Sequence, residues 1–402
     1  MMKTAFRLLL CLCLVTAVHA QTLTLKELFG FSCPSPFTSC PDGKEPDALI
    51  FSSDGNFYGA AELSNPPTGG AGGGTIFKMT PAGQLTVLYT FPENPSTGFF
   101  PNGYAPASIA EGSDGLLYGV ASDGGPTAAS AGTLFRLHKD GTGFQVLQNY
   151  CTSCSNGGFP VFIMAASDGN LYGTTSSGGK FPGTLCEDLG CGVVFRLTTG
   201  GVYTVLHAFN GTTESSYPIG LTQASDGNFY GTTAYEDGGT IFKVTSSGQF
   251  STLVTFPGNA YGLAAPTQAS DGLLYGFSHV VSAPTVDLYS FTTGGSLQTV
   301  AQVTQPLFKQ YGLSQVLQAS DGNLWTAAAA GGAGWGRVFS ITTNGTIVDS
   351  VNFTGTNGSF PTGPLVQLQN GTLYGTTVKG GVLSNGSAAS GEIYTITGLP
   401  AR

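Results

Sequence analysis

Charge is scarce in this chain, and positive charge is scarcest. Only 14 of its 402 residues are Lys or Arg, against 23 Asp or Glu, and there are four His. So few cations on an acidic background repel polyanions, which argues against nucleic acid and anionic lipid as partners. Helical patterning is missing too: no stretch places apolar residues at sustained three- and four-residue spacing. The common catalytic signatures are absent, with no G-x-S-x-G, H-E-x-x-H or phosphate-binding loop. The apolar run from Leu8 to Val18 is too short to span a bilayer as a helix.

That run has a different reading. Lys3 and Arg7 lie before or at its start, and Val18-His19-Ala20 fits a cleavage site. Residues 1–20 therefore read as a signal peptide and 21–402 as one domain of a secreted protein, expected to be a monomer. The tail Gly398-Leu399-Pro400-Ala401-Arg402 has no apolar segment, so no membrane anchor is expected. Removing the leader leaves 12 basic against 23 acidic residues. Six cysteines remain, in three close pairs: Cys33 with Cys40, Cys151 with Cys154, and Cys186 with Cys191. In an exported chain these are expected to form three local disulfides. Neither a metal nor another cofactor is expected, because Cys151-x-x-Cys154 has no second such pair and no paired His.

What is abundant is glycine, at 61 residues, and a repeat built on it. The motif Ser53-Asp54-Gly55-Asn56-Phe57-Tyr58-Gly59 occurs seven times, with later copies at Asp114, Asp168, Asp226, Asp271, Asp321 and, more loosely, Asn370. An aromatic always stands four residues after the Asp or Asn, with Trp325 replacing Tyr in the sixth copy. Each unit holds four strand-like runs. In the fourth they are Ile219 to Ala224 (A), Asn228 to Thr232 (B), Thr240 to Val244 (C) and Phe250 to Phe256 (D). The A–B and C–D connections keep fixed spacing, so they read as tight hairpins with type I′ turns at Asp-Gly or Asn-Gly. The B–C gap varies from 12 to 23 residues between strand aromatics. All variable loops then fall on one face of an all-β, seven-bladed propeller of four-stranded antiparallel blades. The last unit lacks strand D, while Leu25 to Phe31 looks like a strand D without A, B or C. The N-terminal strand is expected to complete the seventh blade and leave no free edge at the seam.

The units Asp226-Gly-Asn-Phe-Tyr-Gly-Thr-Thr, Asp237-Gly-Gly-Thr-Ile-Phe-Lys and Ser247-Gly-Gln resemble the GloVer-type tandem repeat over nearly all of residues 22–397. That resemblance implies an extracellular propeller and no particular reaction. More loosely, the architecture is similar to seven-bladed polysaccharide lyases, including a secreted family that cleaves rhamnosyl-glucuronate linkages.

Departures from the repeat point to function. His279 has no counterpart in the other units and suits a general base; as an unspecialised residue it would be a hydrogen-bonded surface His. Arg337 could neutralise a carboxylate, with Tyr311 assisting, or be a plain surface charge. Trp335, on a Gly-flanked loop, could stack on a sugar or pack between blades. Tyr217 and Tyr261 belong to an aromatic set preceding strand A, and Lys309 adds a cation. His207 is expected to pack in strand D and His138 to be exposed. Three functions stay open: a secreted propeller binding an extracellular glycan or surface partner through its variable face, a polysaccharide lyase eliminating at a uronic acid, or a purely structural repeat.

Overall fold

The computed structural model describes residues 22–33, 40–63, 72–152, 154–179, 186, 190–234, 238–280, 283, 285–304, 312–329, 331, 334–383 and 386–402. The signal-peptide reading lies outside these. The described residues form seven antiparallel sheets and no helix. Each sheet is one blade of a seven-bladed propeller. Blade 4 runs Pro218–Gln223, Phe229–Thr233, Thr240–Val244 and Phe250–Thr255 in spatial order. Blade 7 takes its outer strand from the other end of the chain: Thr24–Gly30 pairs with Glu392–Thr397, from Thr24 opposite Thr397 to Gly30 opposite Glu392.

The four-residue spacing has a direct cause. In blades 1–5 the strand B tyrosine hydroxyl donates to the Asp of its own turn, as in Tyr58 to Asp54 (2.8 Å), Tyr118 to Asp114, Tyr172 to Asp168, Tyr230 to Asp226 and Tyr275 to Asp271 (each 2.7 Å). In blade 6 the Trp325 indole donates to Asp321 at 3.1 Å. The other carboxylate oxygen accepts a backbone N–H two residues on, as from Asn228 to Asp226. One residue thus shapes the turn and anchors the strand.

The turns differ from the expected type. A type I′ turn needs positive φ at both central residues, but in blade 1 only Gly55 has it, at 78°. Gly55 N–H donates to Ser52 O and Ser52 N–H to Asn56 O. That is a type I turn closed by a left-handed Gly, and the Asp side chain favours it by accepting from the backbone.

The Gly after each tyrosine is steric. At Gly59, Gly119, Gly173 and Gly231 a Cβ would collide with the strand C phenylalanine ring (Phe77, Phe135, Phe195 and Phe242). These rings abut the glycine and reach the core between blades. Seven apolar clusters fill the seven interfaces; one joins Tyr58, Ile76 and Phe91 of blade 1 to Ile109, Leu117 and Phe135 of blade 2. Neighbouring blades are also laced at the hairpin ends. The Ser backbone N–H of one turn donates to a glutamine of the next blade: Ser167 to Gln223, Ser225 to Gln268, Ser270 to Gln318 and Ser320 to Gln367 (2.7–2.9 Å).

All three cysteine pairs are bonded, with Cα–Cα separations of 4.3, 5.2 and 5.3 Å. Disulfides fit an extracellular or otherwise oxidising environment. His207 packs as expected, stacked on Phe250 at 3.6 Å and paired with Glu214 at 3.0 Å. His138 is exposed and bonds Thr142. Among the described residues no helix is long and apolar enough to cross a membrane.

Candidate ligand-binding face

The variable face begins where each strand A enters from the previous blade. Five entries use a side-chain-bearing residue in left-handed conformation just before proline: Glu45 (φ 58°), Ala105 (53°), Phe159 (51°), Tyr217 (58°) and Phe360 (56°). Such a backbone costs on the order of 1–3 kcal/mol per site. Its recurrence fixes the rim of the axial opening. Below the rim, the inner strands of all seven blades enclose a channel of about 600 Å³.

None of the sequence-selected residues that are described lines that channel. Tyr261 and His279 do meet: they face each other across strands of blade 5, ring centroids 5.9 Å apart, edge to face. His279 is buried rather than on the surface, and its Nδ1 donates to the Thr285 carbonyl at 3.3 Å. Arg337 belongs to blade 6, half-buried with its guanidinium 4.5 Å above the Phe339 ring, and burial lowers its pKa. Trp335 is 45% exposed and covers Gly355, while its carbonyl accepts from Phe360 N–H. Tyr217 is 41% exposed on blade 4. Lys309 and Tyr311 lie outside the described residues. Among the described residues no hydrogen bond or ring contact joins His279 to Arg337.

Two features were not singled out from the sequence. The first is acidic. Glu62, at the end of blade 1 strand B, is pushed up to about 7 by burial and by the charges of Asp47, Glu45 and Asp123. Burial also raises Asp47, whose carboxylate accepts from Thr362 of blade 7 at 2.9 Å. Asp123, likewise raised by burial, ends strand B of blade 2. Glu62 occupies the repeat position that His279 holds in blade 5, four residues past the tyrosine. The comparison between units that picked out His279 could have picked out Glu62.

The second is a rim pocket of about 450 Å³ between blades 1 and 2, whose walls include Phe99, Phe100, Tyr104, Asp123 and Ser130. Its shape comes from glycines. A Cβ at Gly124 would strike the Tyr104 ring at 2.9 Å, and Gly103 and Gly125 both donate their N–H to the Phe100 carbonyl at 2.9 Å. The Phe100 and Tyr104 rings sit 5.1 Å apart, tilted, and Phe99 is 39% exposed. Burial and the Asp123 charge raise the Tyr104 phenol, which stays protonated and able to donate. The pocket combines apolar faces, a hydroxyl donor and a carboxylate acceptor. Among the described residues no group of three or more His, Cys, Asp or Glu is placed to hold a metal ion.

The repeat itself now has a counterpart. Residues 22–186 match the Gloeobacter/Verrucomicrobia repeat. The match takes in the first three Ser-Asp-Gly turns, and the Tyr-to-Asp hydrogen bond found there recurs in blades 4 and 5. No curated protein sequence matches the chain. Solved structures agree on the propeller. A catalytically inactive His-to-Ala variant of virginiamycin B lyase from Staphylococcus aureus, with quinupristin, superposes with a TM-score of 0.56 at 15% identity, covering 93% of this chain and 99% of that one. A protein from Lactobacillus plantarum gives 0.52 at 15% identity, covering 82% and 93%. The extracellular domain of a chain described as a hybrid two component system from B. thetaiotaomicron gives 0.56 at 14% identity, covering 89% of this chain and 40% of that one. At these identities the likeness is one of fold.

Proposed function

We propose that this chain is a non-catalytic propeller that binds a neutral or amino-bearing extracellular glycan in the rim pocket of blades 1 and 2. The observation that supports it is the pairing of the Phe99, Phe100 and Tyr104 rings with the Asp123 carboxylate around one cavity. The C–H face of a pyranose packs on aromatic rings, and a carboxylate accepts from two adjacent hydroxyls. The charge of the face refines the ligand. Burial, joined by the charges of Asp47, Glu45 and Asp123, holds Glu62 near 7. A uronate would add a further negative charge there, so uronic-acid polymers are disfavoured. Elimination at a uronate would need His279 open to the sugar, with Arg337 or Lys309 on the carboxylate, and His279 is buried against Tyr261.

Isothermal titration with neutral, amino-bearing and uronate oligosaccharides tests this. Neutral or amino-bearing chains should bind, and Phe99→Ala and Asp123→Asn should each weaken them about tenfold or more. Tighter binding of uronates, or ultraviolet absorbance from an unsaturated product that His279→Ala abolishes, would overturn the reading in favour of a lyase.

A further inference from the structure

The axial channel is a separate feature from the rim pocket. Its walls come from all seven blades, and most are aliphatic: Ile50, Val161, Met164, Ile219 and Leu263 each face it while still partly exposed. Polar groups are few. Among the described lining residues the charged ones are Asp47 and Glu111, with no Lys, Arg or His. The two acids sit at opposite ends and differ in their surroundings. Glu111, at the hairpin end, accepts from Ser52, Ser53 and Lys139 and is neutralised by that lysine. Asp47, at the variable end, accepts from the neutral Thr362 hydroxyl and lies within the field of Glu62, as do Glu45 and Asp123. Lys44 is the cation nearest in sequence, on the same strand. A cavity of about 600 Å³ walled by aliphatic carbon has the size and character of a small-molecule site rather than a water channel.

We infer that the axial channel binds an amphiphile with an unbranched aliphatic body and a cationic head. The body lies between the inner strands, and the ammonium sits at the variable end beside Asp47. Charge complementarity selects this head: an anionic head would meet Asp47, and at the other end the lining acid Glu111 is paired with Lys139.

The test titrates the full chain with decylammonium, decanoate and decyl maltoside, each below its micelle concentration. One decylammonium per chain should bind, at least tenfold more tightly than decanoate, and shortening the chain should weaken it about three- to fourfold per methylene. Ala107→Phe and Ala264→Phe, which fill the channel from blades 2 and 5, should each abolish uptake. Asp47→Asn should retain binding and cut the preference over decanoate below threefold. If a filled variant does not fold, a spin-labelled decylammonium on the unaltered protein should broaden the Ile219 and Leu263 methyl resonances. Equal affinities for both heads, no saturable binding, or uptake unchanged by the filling substitutions would overturn the inference. So would unbroadened Ile219 and Leu263 methyls.

Discussion

The two ends of the propeller treat carboxylates in opposite ways. At the hairpin end, hydrogen bonds outweigh burial at Glu111, Asp168 and Asp226. Glu111 is held down to about 2 by Lys139, Ser52 and Ser53, and Asp168 and Asp226 are held low by the Asn and Tyr of their own turns. At the variable end burial prevails. Glu62 stands near 7, and Glu392 is pushed up to about 8 by burial and by Glu27. Neither Glu392 oxygen meets a hydrogen-bond donor among the described residues. The difference separates residues that specify the fold from residues that the fold tolerates. The repeated turn acids Asp168 and Asp226 are satisfied by neighbours at fixed register, whereas Glu392, which the repeat does not place, is buried without such a partner among the described residues.

The sharpest break should come from the fixed register. Gly231→Ala places a methyl where the Phe242 ring and the Gly220 carbonyl already lie. The ring is locked between blades 3 and 4, so it cannot yield without opening the core. A loss of about 3 kcal/mol or more is expected in chemical denaturation. Gly227→Ala makes a useful contrast: its Cβ would meet nothing within 4 Å, and only its positive φ of 79° opposes the change. That should cost about 1 kcal/mol.

Next comes pH, because the two ends pull stability in opposite directions. Acids held low bind fewer protons folded than unfolded, so their contribution is present above about pH 4 and lost as pH falls toward 2. Acids held high bind more protons folded, so their penalty grows as pH rises from about 4 through 7 to 8. Thermal unfolding across pH should therefore peak near pH 4–5 and decline toward pH 8. Glu392→Gln removes the largest variable-end penalty. It should raise stability by about 2 kcal/mol at pH 8, and change little at pH 4.5. A Glu392→Gln curve parallel to that of the unaltered chain would break the comparison.

A smaller effect tests the hairpin end. Tyr230→Phe removes the donor to Asp226 while leaving the ring in the interface. The Asp keeps its Asn228 contacts, so a loss of about 1–2 kcal/mol is expected, larger at pH 7 than in acid strong enough to protonate Asp226.

How much of this was legible in the sequence follows the same division. The seven units, the strand C segments Thr240–Val244 and Glu392–Thr397, and the closure by the N-terminal strand could be read because spacing carries register. The glutamine ladder was written as Gln-Ala-Ser-Asp-Gly at 223, 268 and 318, but its meaning depends on blades being adjacent, which no single unit reveals. The candidate site was less legible. Phe99 and Phe100 lie in a link between blades, where no register constrains position, and their partner Asp123 comes from a different strand. His279 and Arg337 looked reactive because they departed from the repeat. The structure gives them aromatic neighbours in separate blades instead.

The finest test acts on the acidic cluster itself. If mutual repulsion, in addition to burial, holds Glu62 high, removing one neighbouring charge must lower it without touching its surroundings. Asp123→Asn keeps the shape of the pocket wall and deletes one of the three charges acting on Glu62. Carbon-detected NMR of the Glu62 side chain should place its titration near 7 in the unaltered chain and measurably lower in Asp123→Asn. Asp47→Asn should lower it by more, since Asp47 is the stronger of those charges. The global stability change should stay below about 1 kcal/mol, as expected for a partly exposed acid. An unmoved midpoint in both variants would mean that desolvation alone sets the value. The variable face would then repel a uronate no more than any other acidic surface, and the preference for neutral sugars would lose its electrostatic basis.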